Sequence, residues 1–172
     1  MFANWHDFYI LVGSASGALI GLLFIVVTLT SNMDRDQALK GASRYMTPTV
    51  VEFTAVLLVG AIACAPLDGR LQQAALVALA AVLLVWALVN CWRMFFRPMG
   101  ASHAHWTDPW SYAVAPAASY LALGVAALFN SPLAVGAVAA TLLVCGIRNA
   151  WDLITWIAPR GGSASSGANP PP

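Results

Sequence analysis

The sequence predicts an all-α fold: a polytopic transmembrane bundle of five helices with short outer turns and a disordered C-terminal tail. Three observations carry that expectation. Apolar residues make up 60 % of the 172 positions and charged residues only 9 %, where an ordinary soluble domain has about 25 % charged. The apolar residues gather into five stretches, each near the ~20 helical residues that cross a hydrocarbon core of about 30 Å. The segments between them are too small to fold separately. The longest uncharged window, 109–147, is broken only by Asn130-Ser131-Pro132 and reads as two spans with a tight turn between them.

The elements follow in order. Span one is 8–29, with Asp7 as its cap. Span two is 47–65; it starts beside Pro48 and ends at the turn Pro66-Leu67-Asp68-Gly69-Arg70. Span three is 71–95. Span four is 109–129, where Asp108-Pro109 sets a capping side chain before a proline at the first helical position. Pro116 is expected to kink that helix near its start, which a membrane helix tolerates when neighbours satisfy the freed carbonyl. Span five is 132–157. Residues 1–160 therefore form one transmembrane domain. Residues 161–172 are Gly, Ser, Ala, Asn and Pro without apolar periodicity and are expected to be disordered. The first seven residues lack the basic region of a secretory signal, so the first helix is expected to be retained.

Five crossings put the termini on opposite sides, and the basic residues decide which is which. One side holds Arg35, Lys40, Arg44, Arg93, Arg97 and Arg160; the other holds only Arg70. That asymmetry orients the chain with its N-terminus outside and its C-terminus cytoplasmic. Trp92, Trp106, Trp110, Trp151 and Trp156 then fall near the inner interface and Trp5 at the outer one, as an aromatic belt would. Trp86 lies deeper, as a packing or lipid-facing residue.

Composition excludes several functions. Net charge is +1 and no basic run is interleaved with aromatics, so nucleic-acid binding is not expected. Cys64, Cys91 and Cys145 lie in spans at different depths, beyond the ~7 Å that a disulfide allows, and read as packing residues. His103-Ala104-His105 with Asp108 has metal-ligand residue types, but no fourth ligand is evident and the segment reads as a hydrated loop. Gly13-Ser14-Ala15-Ser16-Gly17 lacks the lysine of a phosphate-binding loop and lies in an apolar helix. No catalytic constellation, cofactor or metal is expected.

Polar groups inside the spans are the functional candidates, because charge in hydrocarbon is costly. Glu52 lies about five residues into span two, roughly 7 Å deep at 1.5 Å per residue. Asp152, Asn149 and Arg148 fall at a similar level in span five, and Asn90 and Arg93 at the same end of span three. The plainer account is an inter-helix clasp of Glu52 with Arg148 or Arg93, the other base pairing with Asp152, or Arg148 and Asp152 paired along their own helix at i,i+4. The sharper account is a polar vestibule for an ion or a proton, with Glu52 as its titrating group.

Gly13, Gly17 and Gly21 recur every fourth residue of span one. A stripe without side chains lets a neighbouring backbone come close, either from this chain or from a second copy. A faint repeat also runs through the chain: Leu83-Leu84-Val85 with Asn90, Trp92 and Arg93 recurs 59 residues on as Leu142-Leu143-Val144 with Asn149, Trp151 and Asp152.

Phe8-Tyr9, Gly13-Ser14-Ala15-Ser16, Leu19 and Gly21-Leu22-Leu23-Phe24 together resemble the first span of small uncharacterised bacterial five-span inner-membrane proteins, some labelled "modulator of FtsH protease". The resemblance covers about the first thirty residues and implies a bacterial inner membrane without an established activity. The expected function is that of a non-enzymatic membrane protein working by helix packing. Its partners would be the lipid bilayer and either a second copy or another membrane protein. The alternative is a small ion or proton channel or transporter built on the inner-leaflet polar cluster.

Overall fold

A computed structural model describes residues 2–29, 47–96 and 114–161. Among the described residues the chain is all-helical: α1 His6–Leu29, α2 Thr47–Cys64, α3 Gly69–Phe96, α4 Ala115–Leu128 and α5 Pro132–Gly161. Four of these helices are long and apolar enough to cross a membrane, and α4 is a shorter apolar helix. The first part of span four, 109–113, and the tail beyond Gly161 lie outside the described residues. The fifth helix runs to Gly161, four residues past the expected end of its span.

One expectation about a helix start is corrected. Asp7 is not a cap: a 3-10 turn, Ala3–Trp5, leads straight into α1 at His6, and Asp7 lies in its first turn. There its charge complements the helix dipole. The turn is held by aromatic edges, Phe2 on Tyr9 with centroids 5.1 Å apart and Trp5 on Phe8 at 5.7 Å. Pro116 lies at the start of α4 as described, just after helical Val114, and residues 109–113, on which the expected kink depends, lie outside the described residues.

The two turns close one end of the bundle, and side chains satisfy the helix ends they expose. Asp68 Oδ1 accepts the Leu71 amide at 2.8 Å and caps α3. Asn130 takes φ +56° after α4; its amide donates to Ala127 O at 3.0 Å and that of Ser131 to Ala126 O at 3.2 Å. This is a Schellman end, which needs a residue tolerant of left-handed backbone. Ser131 Oγ then accepts the Ala134 amide at 3.3 Å, with Pro132 opening α5. Two adjacent glutamines finish the job. Gln72 Nε2 donates to Ile62 O and Ala63 O, and Gln73 Nε2 to Ala127 O and Leu128 O, all at 3.0 Å. Each binds last-turn carbonyls of a different helix, α2 and α4, where the helix itself runs out of amides; Ile62 O and Ala127 O also accept the backbone amides of Ala65 and Asn130.

Packing follows spacings of three and four residues. On α5, Val135, Ala139, Leu142, Gly146, Asn149 and Leu153 are buried. On α2 the buried stripe is Thr49, Glu52, Val56, Val59 and Ala63. The α3 stripe, Leu76, Ala80, Leu83 and Ala87, matches the first four α5 positions at an offset of 59 residues, so the sequence repeat is also a repeat of burial. The most extensive contact is α1 on α2; α3 packs chiefly on α4, and α2 and α4 both meet α5. Burial is accordingly greatest for α2, at 44 %, and least for α3, at 17 %, among the four long spans. Exposed Leu11, Phe24, Val82, Val85, Leu121 and Val144 give these helices a hydrocarbon-facing exterior suited to lipid.

The glycine stripe divides. A methyl built on Gly13 would lie 3.6 Å from Gly60 Cα, and one on Gly17 3.8 Å from Leu57 Cδ1, so both face α2 of the same chain. Gly21 is exposed and meets nothing within 4 Å. Across the α1–α2 contact the tightest position is Gly60, where a methyl would lie 2.9 Å from Tyr9 O and 3.2 Å from Gly13 Cα.

Candidate functional site

The polar centre of the bundle is built from α2 and α5. Phe53 is fully buried and its ring fills the space over Gly146, where a methyl would come within 2.6 Å of Cε1. That close seat brings α2 onto α5 at this level. Ser16 on α1 locks the same place from the other side, its hydroxyl donating to Phe53 O at 2.6 Å. Glu52, the residue before Phe53, is then aimed at Asn149, the residue three after Gly146. Asn149 Nδ2 donates to both carboxyl oxygens, at 3.1 Å to Oε1 and 3.0 Å to Oε2.

Both residues are withdrawn from solvent: Glu52 is 0 % and Asn149 1 % exposed. Thr49, one turn earlier on α2, is also 0 % exposed. Below this layer Leu23, Phe53 and Leu153 form an apolar cluster with Leu19, Ile20, Val50, Leu143 and Ala150 packed around it. Tyr120 on α4 is fully buried as well. Its hydroxyl is the one buried side-chain polar atom among the described residues without a hydrogen-bond partner. Tyr120 on α4 and Glu52 on α2 are both turned into the interior of the bundle, each 0 % exposed.

The six polar residues expected to share one layer therefore have different fates. Glu52 and Asn149 meet. Asn90 Nδ2 donates to Trp86 O of its own helix at 3.1 Å. Arg93 and Arg148 are exposed, and Asp152 is half-buried one turn beyond Asn149. The bonded partner of Glu52 among the described residues is an amide, where the clasp expectation named Arg148 or Arg93. Helical spacing explains this: Asn149 lies in the buried stripe of α5, and Arg148 lies about 100° around the helix from it. Arg35, Lys40, Arg44, Arg97, His103, His105, Trp106, Asp108 and Trp110 lie outside the described residues, as do the side chains of Trp156 and Arg160.

Sequence reasoning missed Tyr120, Thr49, Gly60 and Gly146, and missed Ser16 as an inter-helix tie. It also missed Tyr9, whose hydroxyl donates to Pro132 O at 2.7 Å and joins α1 to the start of α5. The signal that could have found Tyr120 is its spacing of three from Leu123, in register with Ala127. Among the described residues no three His, Cys, Asp or Glu side chains are grouped to hold a metal. Comparison with protein-family models, curated proteins and solved structures finds no match.

Proposed function

We propose that this chain is a multi-pass protein of a bacterial inner membrane, with its N-terminus outside, that acts without catalysis as a helix-packing subunit or regulator of a membrane assembly. Six basic residues against one favour that orientation, and the first-span resemblance favours that membrane. One observation carries the packing role. The inward face of α1 is filled by α2 at Gly13 and Gly17, yet α1 has a second small-residue face, Ser14, Ala18 and Gly21, all exposed. These three fall within about 60° of one another around the helix, flanked by exposed Leu11 and Ile25. Small residues on a lipid-facing stripe allow the close backbone approach by which membrane helices associate.

The test separates this face from the internal one. Ala18→Leu, at an exposed position, is expected to abolish cross-linked oligomers or co-purifying membrane partners in mild detergent while leaving helix content and thermal midpoint unchanged. A strict monomer with no co-purifying partner, identical in wild type and Ala18→Leu, would refute the packing role. Gly17→Leu is the wrong probe, because its side chain would meet Leu57 of α2 in the same chain.

A second reading, an ion or proton conduit, is favoured by the carboxyl of Glu52 buried within the bundle. Charge flux into liposomes is then expected from wild type and is lost in Glu52→Gln. Absence of flux from wild type removes the conduit and leaves the packing role untouched.

A further inference from the structure

Three helices bring a carboxyl, an amide and a phenol to the centre of this bundle, and only two of the three groups are bonded to each other. Asn149 offers Glu52 two donor contacts at 3.0–3.1 Å but no charge. An ionised carboxyl withdrawn from solvent is costly, and more so where hydrogen bonds are not joined by a compensating positive charge. Among the described residues no bonded partner of Glu52 supplies one. On its own helix there is Thr49; on α1, Ser16, committed to Phe53 O; on α4, Tyr120; on α5, Cys145 and Asn149. Arg148 and Asp152 flank Asn149 along α5, with Arg148 exposed and Asp152 half-buried.

A hydrogen ion provides that charge without requiring room. It also converts the carboxyl into an O–H donor that needs an acceptor, and the Tyr120 oxygen, fully buried, has no partner among the described residues. We propose that Glu52, Asn149 and Tyr120 form a binding site for one exchangeable hydrogen ion. The ion sits on a Glu52 oxygen, Asn149 Nδ2 fixes the carboxyl, and the Tyr120 hydroxyl receives the acid's O–H directly or through one water. On release the O–H bond of the acid breaks, the proton passes to solvent, and the Tyr120 hydroxyl turns to donate to the carboxylate. A hydroxyl rotor suits both states because it can accept or donate. The site requires neither association nor flux, so failure of either reading above leaves it standing.

Infrared difference spectroscopy of the whole protein in nanodiscs tests it. Wild type is expected to show a carboxylic-acid C=O band that is lost as pH is raised, returns as pH is lowered, and is absent from Glu52→Gln. If Glu52→Gln does not fold, Glu52→Asp serves instead and displaces the band. A Glu52-dependent band that never changes with pH, or is never present while the bundle stays folded, overturns the site. Loss of the band on replacing choline chloride by sodium chloride at constant pH overturns the hydrogen ion in favour of a metal cation. In Tyr120→Phe the band is expected to move to higher wavenumber, because the acid loses its acceptor. An unmoved band with a raised thermal midpoint overturns the part assigned to Tyr120, since removing an idle buried hydroxyl is stabilising.

Discussion

Gly60→Ala is expected to destabilise the bundle by about 3 kcal/mol, at the upper end for a single added methyl. The reason lies in which atoms the methyl meets. Its nearest neighbours are Tyr9 O at 2.9 Å and Gly13 Cα at 3.2 Å, both backbone atoms of α1. A side chain could rotate away, but these cannot move unless α1 and α2 separate along their most extensive contact. Separation would also strain the bond from Ser16 to Phe53 O, about two helical turns earlier on α2. Gly13→Ala is the control from the other side of the same contact. Its methyl would meet Gly60 Cα at 3.6 Å, ordinary van der Waals contact, and alanine gains about 1 kcal/mol of helix propensity over glycine. Gly13→Ala should therefore be close to neutral, and Gly21→Ala, with nothing within 4 Å, neutral or slightly stabilising. Unfolding in mixed micelles, followed by the loss of helix signal, ranks the three. Equal losses from Gly13→Ala and Gly60→Ala would mean that the helices do not cross where the structure puts them.

That asymmetry shows what could be read from the chain and what could not. The stripe of Gly13, Gly17 and Gly21 is visible as a spacing within one helix, but the partner that makes it tight is a single glycine on another helix. Nothing in the local sequence of α2 marks Gly60, which sits in an apolar run like any other. Span lengths were legible because hydrocarbon thickness sets them residue by residue, and all four long spans agree with the described helices to within a few residues. The helix ends were less so. Gln72 and Gln73 carry no local signal that singles them out, and only the placement of α2 and α4 beside α3 makes them caps. The polar layer was half legible. Depth along a helix can be counted, so Glu52 and Asn149 were found; the direction a side chain faces depends on which stripe packs. The three-and-four spacing through Leu142, Gly146, Asn149 and Leu153 carries that information and favours Asn149 over Arg148. Attraction of opposite charges favoured Arg148, and in this interior the packing register prevailed.

The energetic weight of the Glu52–Asn149 contact is expected to appear as non-additivity. Asn149→Leu removes both donors from a carboxyl that is 0 % exposed, and should cost about 3 kcal/mol, the scale for stranding one member of a buried polar pair. Glu52→Leu leaves the Asn149 amide without its acceptor and should cost about 2 kcal/mol. With both changed, neither polar group remains to be stranded, and two leucines extend the apolar cluster of Leu23, Phe53 and Leu153. The double variant should then lose only about 2 kcal/mol, no more than the milder single change, giving a coupling of about 3 kcal/mol. Additive losses would show that the two side chains do not depend on each other. Arg148→Gln separates this arrangement from a clasp between Glu52 and a guanidinium. Arg148 is exposed, and an exposed charge contributes about 0–1 kcal/mol. Breaking a buried ion pair would instead cost about 3–5 kcal/mol. A loss of that larger size in Arg148→Gln, with little effect of Asn149→Leu, would return the arginine to the centre of the bundle and remove the amide from it.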